Sequence, residues 1–268
     1  MRVATGLALR TFAFHGDGVT AVVTTRHGGV STGCYNSLNL GDHVGDDHQA
    51  VAENRRRLAV ALGVERLTVA DQRHTDRVAV IDAALAGRGH DGTADSVAAF
   101  PATDAMITNL PGVALTVLVA DCAPVILFDP RSQAIGVAHS GRVGTVLGVV
   151  PNTVAAMAAA YGSDPADLLV GIGPAIGADS YEIGDSQAAE VTAAFAGAAL
   201  LRPTRPGHCT LDLVGGLRIQ LRRAGVGDGN VHDMAIDTRT ATDDFFSDRA
   251  ARPCGRFMLA AILPSGRV

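Results

Sequence analysis

The sequence predicts an α/β (α+β) fold, with mixed β-sheets flanked by helices in a single domain spanning residues 1–268. Three observations lead there. Apolar runs of strand length alternate with stretches of helical period along the whole chain. Three such runs follow one another closely, at Val113 to Val119, Val125 to Phe128 and Ala134 to Ala138. Hydrophobic residues make up 47% of the chain and charged residues 18%, the balance of a globular protein with a sizeable core rather than of a disordered one.

The elements can be justified in order. Val19 to Thr25 reads as a strand ending in the turn-rich Arg26-His27-Gly28-Gly29-Val30-Ser31. Asp46-Asp47 start a helix whose Val51, Leu58 and Leu62 share a face, and Gly63 closes it. Short strands follow at Leu67 to Ala70 and Arg77 to Ile81, then a glycine-rich loop from Gly87 to Thr93. Asp104 to Thr108 leads into the three central runs. Gly144 to Tyr161 has helical period, with a kink or restart expected at Pro151. A strand at Leu168 to Ile172, helices at Ser186 to Ala199 and Leu211 to Ala224, and a closing strand at Phe257 to Leu263 complete the chain.

Composition narrows the chemistry. The formal net charge is -5, which offers no electrostatic case for nucleic acid or an anionic membrane. All 22 basic residues are arginine, which excludes a Walker-type phosphate lysine, a Schiff-base lysine and a pyridoxal anchor. Cys34, Cys122, Cys209 and Cys254 lack CxxC spacing, against a zinc ribbon or a disulfide framework. No run reaches transmembrane length and the N-terminal residues lack a clean signal pattern, so a cytoplasmic protein, monomer or homodimer, is expected.

Two strand ends carry candidate chemistry. Ala120-Asp121-Cys122-Ala123-Pro124 and Ala138-His139-Ser140-Gly141-Arg142 deliver a thiol and an imidazole just past apolar runs. They form either a Cys–His nucleophile pair or two-thirds of a metal site. His74, in Asp71-Gln72-Arg73-His74, would complete a His2Cys set with a fourth position open to water. Asp121 is a candidate for orienting water or a ligand from behind. Arg26 and the glycines after it suit an anion-binding loop, although an ordinary turn has the same composition. Gly171-Ile172-Gly173-Pro174 is not a dinucleotide fingerprint, because its spacing is wrong and Pro174 lacks a needed N–H. Arg55-Arg56-Arg57 reads as the solvated face of the first helix.

Taken in order, these segments resemble the laccase-domain family of purine nucleoside phosphorylases, also called polyphenol oxidases or peptidoglycan-editing factors. The matching pieces are TTRHGGVS at Thr24 to Ser31, SLNLGDHVGDD at Ser37 to Asp47, NRRRL at Asn54 to Leu58 and QRH at Gln72 to His74. TDAMITNLPG at Thr103 to Gly112, ADCAPVILFDP at Ala120 to Pro130 and AHSGRVGT at Ala138 to Thr145 follow. GIGPAIGADSYEIG at Gly171 to Gly184, then FFSDR and CGRF, complete the set. The resemblance implies a fold distantly like cysteine-hydrolase toxins. It also implies one metal, usually Zn2+, held by His74, Cys122 and His139, and a substrate pocket to which Arg26 contributes.

The sequence departs from the family pattern in three places. His139-Ser140-Gly141-Arg142-Val143-Gly144 stands where HAGW precedes a basic residue, so an aromatic wall is lost and Arg142 is a shifted substrate contact. Asp237-Thr238 replaces a Cys-Thr pair, and Cys254 replaces the threonine before the terminal GR. The activity implied is zinc-dependent phosphorolysis of purine nucleosides (adenosine, inosine, methylthioadenosine), with Arg26 holding phosphate and adenosine deamination as a second reaction. The alternatives are a Cys122–His139 hydrolase editing cell-wall precursors, a copper-dependent polyphenol oxidase, which nine scattered histidines suit poorly, and a non-enzymatic binding module.

Overall fold

The structure, a computed structural model, describes residues 6–16 and 18–265. In chain order the strands are β1 (Leu9–Thr11), β2 (Thr20–Thr24), β3 (Leu67–Val69), β4 (Val78–Val80), β5 (Ala105–Thr108), β6 (Ala114–Val119) and β7 (Ala123–Asp129). They continue as β8 (Ala134–Ser140), β9 (Leu169–Ile172), β10 (Glu182–Gly184), β11 (Leu201–Pro203), β12 (His208–Leu211), β13 (Val231–Asp233) and β14 (Phe257–Ile262). The helices are α1 (His48–Leu62), α2 (Thr93–Ala99), α3 (Arg142–Leu147), α4 (Val149–Tyr161), α5 (Asp185–Ala194) and α6 (Leu213–Arg223). The predicted mixed α/β class is what the chain forms.

Two mixed sheets dominate among the described residues, with strand orders β1-β2-β14-β6-β3 and β13-β9-β7-β8-β5-β4. They face each other. Val117, Val119, Leu259 and Val23 from the first meet Ile126, Phe128, Val137 and Met106 from the second in one apolar cluster. The alternate residues of the same strands point outward and are also buried. Val125, Leu127 and Ala138 pack under Val154 and Met157 of α4 and Leu217 and Leu221 of α6. Leu118, Met258 and Ala260 pack under Leu58 and Ala59 of α1. The resulting layers run helix, sheet, sheet, helix. Burial on both faces explains why β6, β7 and β8 read as continuous apolar runs without alternation.

The three central runs do not form one sheet. β7 and β8 are antiparallel neighbours, with Pro124 opposite His139, but β6 belongs to the other sheet. Residues 120–122 therefore carry the chain from one sheet to the facing one. Residues 70–77 make the same crossing between β3 and β4. These two crossings, rather than a single strand edge, build the site.

Other differences have local causes. The predicted helix 144–161 breaks at Gly148, whose left-handed φ of +89° ends α3, while Pro151 sits in the first turn of α4, where its N–H is not needed. The alanine-rich helix stops at Ala194 rather than Ala199, and Leu211 belongs to β12 rather than to α6. A small β10-β12-β11 sheet was not visible in the sequence, because strands of three or four residues leave too little pattern. The arginine run of α1 is not wholly solvated either: Arg55 is buried at 2% exposure.

Candidate metal centre

His74, Cys122 and His139 come together where the two crossings meet the end of β8. Their ligand atoms all lie within 4.8 Å of one another, and the two imidazoles meet edge to face with centroids 4.8 Å apart. His74 Nε2 is 3.6 Å from Cys122 Sγ. Tetrahedral zinc with ordinary Zn–S and Zn–N bonds places sulfur and nitrogen about 3.6 Å apart. The donor set and its spacing fit such an ion.

Each ligand is held by its surroundings. Asp104, fully buried just before β5, accepts from His139 Nδ1 at 2.8 Å, leaving Nε2 free to face the thiol. The same carboxylate accepts from the backbone N–H groups of Arg73, His74 and Thr75 and from the Thr75 hydroxyl. One side chain thus fixes two of the three ligands. Gln72 adds a clasp, its side chain donating to Leu118 O and accepting from Leu118 N–H, both at 2.8 Å. That ties the first crossing to β6.

Cys122 is positioned through its neighbour. Asp121 has a φ of +89°, an uncommon conformation for a non-glycine residue, which turns the chain from β6 into β7. Its carboxylate accepts from the Thr238 and Ser247 hydroxyls and from Arg249 N–H, all at 2.6 Å, and its carbonyl accepts from Ile176 N–H. Asp121 therefore binds the second crossing to the 174–177 loop and the C-terminal FFSDR segment. His74 also has a positive φ, +61°. Gly141 is the third fitted piece. A Cβ there would stand 2.6 Å from Cys122 Sγ and 3.0 Å from His74 Cδ2, so the packing beside the ligands requires a residue without a side chain.

The local electrostatics favour a metal-ready thiolate. Burial pushes the Cys122 thiol up, but His139 and then His74 outweigh it and hold it below its ordinary value. Burial works against the charged form of His139, but Cys122 and Asp104 raise it. Burial likewise opposes the Asp104 charge, yet His139 and the backbone N–H groups bring it down to about 2. Among the described residues, no other cluster of three or more histidines, cysteines and carboxylates is placed to hold a metal.

The three ligands line a cavity of about 340 Å³, together with His43, Arg55, Arg73 and Arg256. Arg26 and Arg142 do not line it. Arg26 donates through Nε to Asn36 O and through Nη1 to Thr242 O, both at 2.9 Å, and lies over the Phe246 ring. Arg142 opens α3 and pairs with Glu190 on α5. Sequence reasoning missed Asp104 and Arg55 as parts of the site. Asp104 stood in a quoted segment, but nothing in its spacing revealed the imidazole it would meet.

Known proteins match the chain along nearly its whole length. Residues 20–264 match the family model described as multi-copper polyphenol oxidoreductase laccase. A purine nucleoside phosphorylase of Streptomyces coelicolor is 42% identical over 238 residues, 87% of this chain and 90% of that protein. One of Corynebacterium glutamicum is 40% identical over 240 residues, 89% of this chain and 92% of that protein. The crystal structure of YlmD from Geobacillus stearothermophilus superposes with a TM-score of 0.90 at 32% identity, over 96% of this chain and 97% of that one. The Bacillus licheniformis protein YfiH gives a TM-score of 0.88 at 32% identity, over 94% and 95% of the two chains. With residues 20–264 matched by the family model and relatives at 40–42% identity along nearly their whole length, the chain belongs to the laccase-domain family.

Proposed function

We propose that this chain is a zinc-dependent purine nucleoside phosphorylase that also deaminates adenosine. The observation that carries the reading is the convergence of His74, Cys122 and His139 on the wall of a cavity large enough for a small ligand. It is supported by the relatives named purine nucleoside phosphorylase, which match along nearly their whole length. Two imidazoles and one thiolate suit zinc, and a single such cluster among the described residues does not suit a multicopper oxidase.

Zinc bound there would supply a Lewis acid with a fourth position open to the cavity. The chain's own residues do the rest. Asp104 keeps His139 in the tautomer that presents Nε2, the nitrogen that would hold the metal. The cavity walls hold nucleoside and phosphate against each other, replacing a bimolecular encounter with an oriented one. A phosphate oxygen then bonds to the anomeric carbon as the bond to the purine nitrogen breaks. The electron pair leaves with the base, which takes up a proton, and ribose 1-phosphate remains. Asp71 and Asp248 are the carboxylates of the wall and can accept from sugar hydroxyls.

The test is incubation with inosine or adenosine, with and without phosphate, followed by chromatography of the products. Phosphate-dependent hypoxanthine or adenine release, lost in His74→Ala, is expected. Products no greater than in that control would sink the reading, and inosine formed from adenosine without phosphate would report the deaminase reaction.

A further inference from the structure

The three consecutive arginines of α1 have different fates. Arg56 and Arg57 share the Glu53 carboxylate at the helix surface. Arg55 points inward, 2% exposed. Its Nε donates to Leu40 O at 2.9 Å, and its Nη1 to Gly89 O and His90 O at 2.9 and 3.0 Å. These acceptors are carbonyls, so they satisfy N–H groups without neutralising the charge. Among the described residues no carboxylate is in ion-pair contact with Arg55, and its Nη2 has no hydrogen-bond partner.

A buried cation with no carboxylate in contact is costly, and Asp42 and Asp91 favour the Arg55 charge only from beyond ion-pair distance. Arg55 lines the same cavity as the three metal ligands, beside His43 and Arg256. Arg256 spends Nη1 on the Cys254 and Gly255 carbonyls and pairs through Nη2 with Asp248 at 3.5 Å. Burial, then the charges of Arg256 and Arg55, hold the His43 imidazole down to about 4. Of the three arginines on the cavity wall, Arg73 pairs with Asp71 and Arg256 with Asp248, which leaves Arg55 without an ion pair and the wall with one positive charge in excess. Arg26, by contrast, is already engaged with two carbonyls and an aromatic ring.

We propose that Arg55, through Nη2 and with Arg256 and His43 beside it, is the oxyanion subsite of this cavity and binds inorganic phosphate. The existence of an anion site rests on the unpaired guanidinium; the choice of phosphate rests on the proposed phosphorylase reading. Charge-assisted bonds from a guanidinium to a phosphate oxygen are among the strongest polar contacts available. Here the guanidinium is itself nearly excluded from solvent, which strengthens such a bond.

Equilibrium dialysis of the purified protein against radiolabelled inorganic phosphate tests the site directly. One phosphate per chain is expected, with affinity at least tenfold weaker in Arg55→Met at unchanged metal content. Because Arg55→Met leaves three carbonyls without donors and can misfold, His43→Glu on an exposed turn provides a second variant. Its carboxylate would pair with the arginines and exclude phosphate to a similar degree. Phosphate affinity unchanged in His43→Glu, absent in the wild type, or dependent on metal content alone in His74→Ala would overturn the subsite. Phosphate bound and lost as expected, with no nucleoside cleaved, would leave the subsite standing and remove the phosphorylase reading instead. Nucleoside cleavage with phosphate affinity indifferent to both substitutions would do the reverse.

Discussion

Asp104 accepts a 2.8 Å hydrogen bond from His139 while the same carboxylate receives the backbone N–H groups of residues 73–75. One buried side chain thus sets the orientation of one ligand and the loop that carries another. Asp104→Asn keeps the volume but replaces an acceptor with a donor facing other donors. Metal affinity is expected to fall roughly 10- to 100-fold, the usual consequence of losing a carboxylate behind a ligating histidine. Chelator competition against metal content reads this directly, and wild-type affinity would show that the Asp104 contact is incidental.

Gly141 tests the packing of the site while leaving all three ligand residues in place. A methyl group there overlaps Cys122 Sγ at 2.6 Å and His74 Cδ2 at 3.0 Å. Its backbone φ of -84° is open to any residue, so the effect of Gly141→Ala is purely steric. Metal stoichiometry should drop severalfold while the far-ultraviolet circular dichroism stays that of the wild type. Full metal loading in Gly141→Ala would mean that the ligands can shift aside at little cost.

His43 gives a pH signature separate from the metal ligands. Its folded-state value is pushed down to about 4, by burial first and then by Arg256 and Arg55. The unfolded chain keeps the ordinary histidine value near 6.5. Between those limits the unfolded state binds the extra proton and the folded state does not. Stability from this group is therefore full above about pH 6.5, falls as the pH drops toward 4, and levels off below. His43 is itself exposed to solvent on one side, which weakens the effect without changing its sign. Denaturant melts of His43→Gln should lose part of the acid lability in this window, and parallel curves for the two proteins would contradict the assignment.

How far the sequence could be read follows from which interactions are local. α1 was legible because Asp47 accepts from the N–H groups of Gln49 and Ala50 and Gly63 closes the far end, signals within one turn of each boundary. The strands β6, β7 and β8 were legible as apolar runs, but their division between two sheets was not, since that depends on the turn at Asp121 and its partners more than a hundred residues away. The ligand triad was legible as one option beside a Cys–His pair, and the family order favoured it, because His74, Cys122 and His139 are far apart in sequence. Arg55 was misread because three adjacent arginines look alike in sequence, and only packing against Leu40, Gly89 and His90 separates one from the others.

Arg26 distinguishes a loop anchor from a substrate contact. The resemblance implied a place in the substrate pocket, whereas its guanidinium here ties Asn36 O to Thr242 O and covers Phe246, joining segments more than two hundred residues apart. Losing one exposed and one partly buried charge-assisted bond and the ring contact should cost about 1–3 kcal/mol. Arg26→Met keeps the apolar cover over Phe246 and removes only the donors, so it isolates their share. A lowered denaturation midpoint with an unchanged KM for phosphate is expected. A phosphate KM raised tenfold in a protein of wild-type stability would return the phosphate to Arg26 and take it from Arg55.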